Sequence, residues 1–350
     1  MSNAMGLNLF KYGEQLKPLP ERYRDLDDDT VQERIREIKR EMGHRLVLLG
    51  HNYQQHAIVE VCDFMGDSYM LSKKAAEINE AEWIIFCGVS FMAESADILT
   101  ADHQKVILPS MAAACPMAGM AEMVQVEQAW QQLTERVPAE DVIPITYMNS
   151  YADLKAFCAD QGGAVCTSSN ASKIFDWAFE QDKRIFFFPD EHLGRNVATW
   201  AGVPDEKQPL WNPWAGELGG LDADMVDEGQ VYLWAGNCQV HQRFTVDDIE
   251  TMRENHADIT VMVHPECRRS VVREADLYGS TAAIIDAVEE ADPGSTWAIG
   301  TEFNLVDHLN REHEGKNILP LGCEECIDCN AMAQINPPYL LWTLEQLQQD

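Results

Sequence analysis

The sequence predicts an α/β protein made of three repeated units, each with a small and mostly parallel β-sheet. Short apolar segments of strand length alternate with stretches of helical character, as in parallel sheets covered by helices on both faces. The same order of segments also occurs three times along the chain, which is typical of an architecture built by internal repetition. The two observations together favour a triplicated α/β architecture.

The first unit follows an acidic and amphipathic segment, VQERIREIKREM within residues 28–42, which predicts an N-terminal helix. Its segments are a strand at 45–50, a helix-like stretch at 58–79 interrupted by Gly66-Asp67-Ser68, and strands at 83–87 and 106–108. The first strand ends at His51-Asn52-Tyr53, and Cys115 follows the last strand. This order is the pattern that the other two units repeat.

The second and third units contain corresponding segments, at 142–150, 165–169, 184–188 and 231–238, and at 259–266, 278–281, 296–300 and 317–323. We therefore predict domains at 28–135, 136–240 and 241–330, followed by a C-terminal helix at 331–350. Residues 202–229 are rich in Gly, Trp, Pro and acidic residues, and predict an insertion on the surface of the second unit, away from the chemistry.

Polar residues follow the first strand of every unit, and the carboxyl ends of parallel strands are where ligands bind. They form pairs spaced i, i+2, which face one side of a continuing strand: His51 and Tyr53, Tyr147 and Asn149, His264 and Glu266. A second set lies in Ser/Thr turns, at Ser68, Ser168, Ser280 and Thr281. A single turn serine or histidine is usually structural, but equivalent positions in three units favour a site for a small polyoxygenated ligand.

Three cysteines, Cys115, Cys238 and Cys329, lie beyond the last apolar segment of each unit, so their thiolates can converge. Cys329 ends a CxxCxxC motif that is compatible with a structural zinc site, a redox pair of Cys323 and Cys326, or iron–sulfur ligation. The spacing alone does not choose between these, but Cys115 and Cys238 favour a cluster bound by one cysteine per unit. The remaining cysteines are expected in the core: Cys62, Cys87, Cys158, Cys166 and Cys267.

Charge and composition restrict the class of protein. With 58 acidic and 26 basic residues the net charge is −32, which disfavours nucleic acid and anionic membranes as partners. The longest apolar segments are much shorter than the roughly 20 residues of a membrane-spanning helix, and no secretory signal is recognisable. We therefore expect a soluble, cytoplasmic protein, and its content of 10 cysteines favours metal or redox chemistry over a disulfide framework.

A series of short motifs, in order from about residue 31 to the C-terminus, resembles the quinolinate synthase (quinolinate synthetase A) family. The motifs are LGHNYQ (49–54), GDS (66–68), GVSFMAE (88–94), CPMA (115–118), CTSSNA (166–171), PDEHLGR (189–195), CQVH (238–241), VHPEC (263–267), YGST (278–281) and GTE (300–302). The resemblance implies three α/β domains around a pseudo-threefold axis, with a [4Fe–4S] cluster at a central active site.

The same resemblance implies a transferase that condenses iminoaspartate with dihydroxyacetone phosphate, releases phosphate and water, and makes quinolinate for NAD biosynthesis. An aspartate-oxidising enzyme that supplies iminoaspartate is the implied protein partner. The implied cluster ligands are Cys115, Cys238 and Cys329, the last because the family has a Cys-x-x-Met pattern there, CNAM in this chain. Cys323 and Cys326 are then bystanders, with a redox pair as the alternative.

The site residues carried over by motif fall into two groups. Glu266, Tyr53 and His264 are expected to be catalytic, with Glu266 and Tyr53 as the acid–base pair. The expected substrate-binding residues are His51, Ser68, Tyr147, Met148, Asn149, Ser168, His241, Pro265 and Thr281. Hydroxyl and imidazole groups at these positions suit a site beside a charged cluster.

Overall fold

The computed structural model describes residues 18–322 and 328–349, which form three parallel β-sheets with intervening helices. The chain divides into two compact units. The first comprises the residues up to Cys115, Phe303–His308 and the residues from Asp328 onward; the second comprises Pro116–Glu302 and the residues from Leu309 to Ile327. The first sheet belongs to the first compact unit, and the second and third sheets belong to the second.

The three sheets share the spatial order of four strands, and the second sheet has one additional edge strand. The first contains β1 (Leu46–His51), β2 (Phe64–Gly66), β3 (Trp83–Cys87) and β4 (Lys105–Ile107), in the order β2-β1-β3-β4. The second contains β5 (Val142–Tyr147), β6 (Ala164–Cys166), β7 (Arg184–Phe188), β8 (Leu210–Trp211) and β9 (Val231–Trp234), in the order β6-β5-β7-β9-β8. The third contains β10 (Ile259–Val263), β11 (Leu277–Tyr278), β12 (Thr296–Gly300) and β13 (Asn317–Pro320), in the order β11-β10-β12-β13.

Every pair of neighbouring strands is parallel, so the predicted fold class of repeated α/β units with small parallel sheets is confirmed. The pseudo-threefold arrangement and the domain boundaries at 135, 240 and 330 stay predictions.

In the described chain, the α-helices are α1 (Glu21–Arg24), α2 (Asp28–Met42), α3 (His56–Val59), α4 (Ser68–Glu77), α5 (Ser90–Leu99), α6 (Met123–Thr134), α7 (Ala152–Asp160), α8 (Ala171–Phe179), α9 (Glu191–Trp200), α10 (Ala223–Glu228), α11 (Val246–Asn255), α12 (Arg269–Glu274), α13 (Thr281–Glu290), α14 (Phe303–Glu312) and α15 (Pro337–Leu347). Among these residues, no helix combines the length and apolar character needed to cross a lipid bilayer.

The N-terminal helix α2 shows how local sequence sets an element. Asp27 precedes it, and its carboxylate accepts a hydrogen bond from the Thr30 backbone N–H at 2.9 Å, which caps the helix. That hydrogen bond also lowers the pKa of Asp27. Apolar residues at helical spacing, Val31, Ile35 and Ile38 among them, form its buried face. Gly43 ends the helix with a positive φ of 54°, which a glycine adopts without strain.

The segment 202–229 was predicted to be an insertion on the surface, and this prediction is wrong for the part that joins the second sheet. Residues Leu210–Trp211 form β8 and pair in parallel with β9, so the segment adds an edge strand to the second sheet. The Trp211 side chain is only 2% exposed and lies against Phe186, with 6.3 Å between ring centroids. Burial of this large apolar ring holds the segment on the sheet, in spite of its polar composition.

Gly163 and its neighbour Gly162, which lead into β6, give a matched pair of stability predictions. A Cβ on Gly163 would lie 1.9 Å from the backbone oxygen of Pro144, so Gly163→Ala is expected to lower the free energy of unfolding by about 3 kcal/mol. Gly162 has a φ of +72° and open space around its Cα, so Gly162→Ala is expected to cost only about 1 kcal/mol. Urea denaturation of both variants measures the difference; equal costs would contradict the backbone clash.

Candidate active site

Polar side chains meet at the carboxyl ends of strands in the second compact unit, as predicted for parallel sheets. Tyr147 is the last residue of β5, His264 and Glu266 follow β10, and Thr301 follows β12. The side chains are buried, with Tyr147 5% exposed and both His264 and Glu266 2% exposed. A buried carboxylate requires compensation by hydrogen bonds or charges, so its partners define the site.

Both oxygens of the Glu266 carboxylate are hydrogen-bonded. The Tyr147 hydroxyl donates to Oε1 at 2.6 Å, and His241 Nδ1 donates to Oε2 at 3.0 Å. The other ring nitrogen of His241, Nε2, lies 3.2 Å from Oγ1 of Thr301. The side chains come from three different strand ends and from the turn after Cys238, so tertiary folding alone brings them together.

The partners of Glu266 decide its ionisation. Burial alone would raise the pKa of the Glu266 carboxyl, but His241, together with the hydrogen bonds from His241 and Tyr147, outweighs burial and lowers the pKa. Glu266 is therefore ionised at neutral pH and able to accept a proton. Asp190 lies nearby, and burial together with the Glu266 charge raises the pKa of that second carboxyl. Two carboxyl groups in one buried region thus have opposite shifts, a pattern common in acid–base sites.

His264 is neutral at neutral pH, because burial lowers its pKa to about 3. Its Nδ1 accepts a hydrogen bond from the Glu266 backbone N–H at 3.3 Å, which leaves the ring proton on Nε2. The ring stacks on His241, with centroids 4.4 Å apart and planes 15° apart. His264 can therefore donate a hydrogen bond from Nε2 without carrying a charge.

His51 repeats this local geometry in the first compact unit. It ends β1, it is 4% exposed, and its Nδ1 accepts a hydrogen bond from the Tyr53 backbone N–H at 3.1 Å. Burial lowers the pKa of His51 to about 3, and its ring meets that of Tyr53 edge-on at 4.8 Å. The pairs His51–Tyr53 and His264–Glu266 thus share their position and their hydrogen bond from backbone N–H to ring, and burial lowers the pKa of both histidines, which supports the internal repeat at the level of the site.

The Ser/Thr turns lie at helix starts. Ser68 is the first residue of α4, Ser280 caps α13, and Thr281 is the first residue of α13. Ser169 Oγ donates to Ser280 Oγ at 2.9 Å. Ser168, Ser280 and Pro265 contribute to the lining of a cavity of about 460 Å³ in the second compact unit. Hydroxyls and helix N-termini at such a cavity suit an anionic, oxygen-rich ligand.

The cysteines fall into two groups. Cys87, Cys158, Cys166 and Cys267 are buried, and all four have a raised pKa. For Cys87 the main cause is a hydrogen bond with the half-buried Cys62, followed by burial, and for the other three it is burial. They stay protonated at neutral pH, and the prediction of core cysteines is confirmed for these four and wrong for Cys62, which is only half-buried. Cys115, Cys238 and Cys329 are half-buried, at the loop positions where a metal can reach the sulfur. Cys323 and Cys326 lie outside the described residues.

Cys238 is the cysteine that joins the Glu266 group. Its ligand atom and those of His241 and Glu266 all lie within 4.8 Å of one another, so these residues could hold a metal ion. Its backbone N–H donates to Oδ2 of Asp190 at 3.2 Å, which orients the turn. Thiolate donors are what iron–sulfur clusters require, so a half-buried thiol such as that of Cys238 fits the predicted cluster better than the four buried thiols do.

The family of this chain follows from comparison with known proteins. The family described as Quinolinate synthetase A protein matches residues 33–350. The chain belongs to the quinolinate synthetase A family. A quinolinate synthase of Haloarcula marismortui is 58% identical over 97% of this chain and 90% of that protein. The quinolinate synthases of Halobacterium salinarum strain R1 and Bacillus cereus are 56% and 48% identical, over 97% and 96% of this chain and 90% and 91% of theirs.

The prediction of the quinolinate synthetase A family is therefore confirmed. The roles of the individual site residues stay predictions, and the structure gives their positions. The structure brings together Tyr147, His241, His264 and Glu266 in the second compact unit. The same unit holds buried Met148, Pro265 and Thr281 and half-buried Asn149 and Ser168. His51, Tyr53, Ser68, Cys115 and Cys329 belong to the first compact unit. The pairing of Glu266 with Tyr53 stays a prediction; the hydroxyl that bonds Glu266 here is that of Tyr147.

Two members of the network were missed from the sequence. Thr301 directly follows β12, and Asp190 follows β7 after the single residue Pro189. Both carry the signal that identified His264, a polar residue just past a buried apolar strand. Applying that rule to every strand of each unit, and not only to the first, would have found both.

A buried neutral histidine makes stability depend on pH, and His51 tests this in the quinolinate synthetase A fold. The unfolded chain binds a proton at His51 below pH 6.5, but the folded chain binds it only near pH 3, so stability rises with pH across that window. In the variant His51→Asn, the slope of unfolding free energy against pH is expected to fall by about 1.4 kcal/mol per pH unit. Denaturant titrations at pH 4, 5 and 6 measure it, and an unchanged slope would contradict burial of a neutral ring.

Proposed function

We propose that this chain catalyses the condensation of iminoaspartate with dihydroxyacetone phosphate to quinolinate, with release of phosphate and water, as a transferase of NAD biosynthesis. The observation that carries the proposal is the buried Glu266 carboxylate, hydrogen-bonded by Tyr147 and His241 beside the half-buried Cys238. The relatives named quinolinate synthase support the same activity. The reaction involves no net oxidation, so proton transfers and polarisation are what the site must supply.

Glu266 is the proposed proton acceptor, because its carboxylate is buried, ionised at neutral pH and held by Tyr147 and His241. Positioned bases typically contribute roughly 10²–10⁴-fold. The lowered pKa makes Glu266 a weaker base than a free carboxylate, so its contribution rests on its position. Tyr147 is positioned to return a proton through its short hydrogen bond to Glu266, and Tyr53 is the proposed second acid–base group. His264 is proposed to donate from Nε2 to a substrate oxygen. A neutral ring at this place orients an anionic substrate without forming an ion pair.

The remaining predicted residues are proposed to bind substrate. Hydroxyl and amide groups hold the carboxylates and the phosphate by hydrogen bonds, and apolar side chains limit the cavity. His241 is proposed to orient Glu266 and to line the site. The proposed substrate-binding residues are His51, Ser68, Tyr147, Met148, Asn149, Ser168, His241, Pro265 and Thr281.

Cys115, Cys238 and Cys329 are the proposed ligands of a [4Fe–4S] cluster. When bound by only three cysteines, such a cluster supplies a Lewis-acidic iron that polarises substrate groups. An aspartate-oxidising enzyme is the proposed source of iminoaspartate. The cytoplasmic location, and the exclusion of nucleic acid as a partner on the basis of the net charge of −32, stay predictions.

The test is quinolinate formation by anaerobically purified protein, from dihydroxyacetone phosphate and iminoaspartate generated from oxaloacetate and ammonium. We expect brown, iron- and sulfide-containing protein that forms quinolinate, detected by chromatography. Iron-loaded protein that makes no quinolinate would contradict the activity. Active protein that contains zinc but no iron would instead support a mononuclear metal at Cys238, His241 and Glu266, and would contradict the cluster.

A further inference from the structure

The backbone around Glu266 is held by side-chain amides from two other parts of the chain. Asn196 Nδ2 donates to the carbonyl oxygens of Pro265 at 2.8 Å and of Cys267 at 2.9 Å. Gln242 Nε2 donates to the carbonyl oxygen of Glu266 at 3.0 Å. Three consecutive carbonyl groups are therefore fixed by two amide side chains, one on α9 and one in the turn that follows Cys238.

This arrangement matters because Glu266 lies outside any helix or strand. A buried segment of that kind must find hydrogen-bond partners for its carbonyl groups outside regular secondary structure. Both hydrogens of the Asn196 amide are used, on the carbonyl groups of Pro265 and Cys267. The two peptide planes that flank the Glu266 Cα carry the carbonyl groups of Pro265 and Glu266, so Asn196 holds the first of these planes and Gln242 holds the second. Since both acceptors are carbonyl oxygens, only the amide nitrogen can face them, and the orientation of the amide is fixed by chemistry.

The two amides are themselves well anchored. Asn196 lies on α9 and is 1% exposed. Asp190 precedes this helix, and its carboxylate accepts hydrogen bonds from the backbone N–H groups of Leu193 and Cys238. Gln242 accepts a hydrogen bond from Arg268 Nε at 3.0 Å through its own Oε1, which sets the direction of its amide nitrogen. Neither amide can rotate without leaving a buried polar group unpaired, and that costs free energy.

We propose that Asn196 and Gln242 are positioning residues, which act on the reaction by fixing the direction of the Glu266 side chain. The inference rests on the proposed role of Glu266 as proton acceptor. A displacement of about 1 Å at a reacting group can cost about 100-fold in rate, so a small rotation of the peptides beside Glu266 is enough to matter. The carboxylate must also reach Tyr147 and His241 at once, which leaves little freedom for its backbone.

The test is a double-mutant cycle between Asn196→Leu and Glu266→Gln. Leucine branches at Cγ as asparagine does, although it is larger, and it donates no hydrogen bond. In the wild-type background we expect Asn196→Leu to lower kcat by about 10–100-fold and to change KM by less than about 3-fold, because the base is misplaced while substrate contacts remain. In the Glu266→Gln background, the same substitution is expected to leave the residual kcat within about 3-fold, since the group that it positions is already lost.

Equal losses of kcat in both backgrounds would overturn the proposal, because a general structural defect acts regardless of Glu266. If Glu266→Gln itself keeps full kcat, the proposed role of Glu266 is wrong, which is a separate result. Gln208→Leu is the matched control: Gln208 is 2% exposed and donates to the Val203 carbonyl at 2.8 Å, in the same compact unit. It is expected to lower the unfolding midpoint with kcat unchanged.

Gln242→Leu keeps the test decisive if Asn196→Leu fails to fold. Gln242 is half-buried and holds only one of the three carbonyl groups, so its loss is expected to be tolerated structurally. We expect a loss of kcat of about 3–10-fold in the wild-type background and no further loss with Glu266→Gln. A fall of the same size in both backgrounds would again overturn the proposal.

Discussion

Glu266→Gln is expected to lower kcat for quinolinate formation by about 10³-fold with little change in KM. Glutamine keeps the size of the side chain and an oxygen that accepts from the Tyr147 hydroxyl, but it cannot take up a proton. Steady-state kinetics with purified, iron-loaded protein measures the effect. Circular dichroism and the unfolding midpoint establish that the variant is folded before its kinetics are interpreted.

Glu289→Gln is the control for this substitution. Glu289 lies on α13 in the same compact unit, and its side chain is exposed, so the same chemical change is expected to leave kcat as in the wild type. If Glu266→Gln keeps more than about a tenth of the wild-type kcat, the carboxylate is a structural partner of His241 and Tyr147 and not the proton acceptor.

Cys238→Ser is expected to remove most of the bound iron and sulfide and to reduce quinolinate formation below detection. The serine hydroxyl has nearly the size of the thiol but does not provide the thiolate that holds iron in such clusters. Iron and acid-labile sulfide per chain, measured on anaerobically purified protein, give the result. Full iron and sulfide content in Cys238→Ser would contradict its role as a ligand.

Cys158→Ala is the matched control, because Cys158 is buried in the same compact unit and burial raises the pKa of its thiol. It is expected to keep its iron and to lose only stability. Cys115→Ser and Cys329→Ser are expected to behave as Cys238→Ser does. A chain that loses function in Cys323→Ser while keeping its iron would instead indicate thiol redox chemistry, and unfolding of the C-terminal residues in Cys329→Ser alone would indicate structural zinc.

The sequence was sufficient for most strands, because the buried ones are apolar along their length, but it missed β2, which lies in a stretch predicted as helix-like, and β8 in the insertion. Segments such as Arg184–Phe188 have a single structural interpretation, and the polar residues that follow them identify the ligand-binding edge of each sheet. His264 and Glu266 were found in this way. The order of the four strands that the three sheets share follows the shared order of segments: in each unit the second and third strands lie on either side of the first.

The sequence was not sufficient where a contact joins residues far apart in the chain. Asn196 is separated from Pro265 by 69 residues, and nothing in the helix around it distinguishes a buried amide from one facing solvent. The buried Trp211 was missed for a related reason: its neighbours are polar and rich in glycine, and only the finished sheet shows the apolar surface that receives the ring. Local composition describes the segment, whereas packing decides where it lies.

The helix α9 sets the distance between two residues that hold different parts of the site. Asp190 holds the Cys238 turn at one end of it, and Asn196 holds the Glu266 segment nearly two turns later. Adding or deleting one residue between them would rotate Asn196 by about 100° around the helix axis and carry its amide away from both carbonyl groups. The number of residues between Asp190 and Asn196 is therefore constrained by both contacts at once.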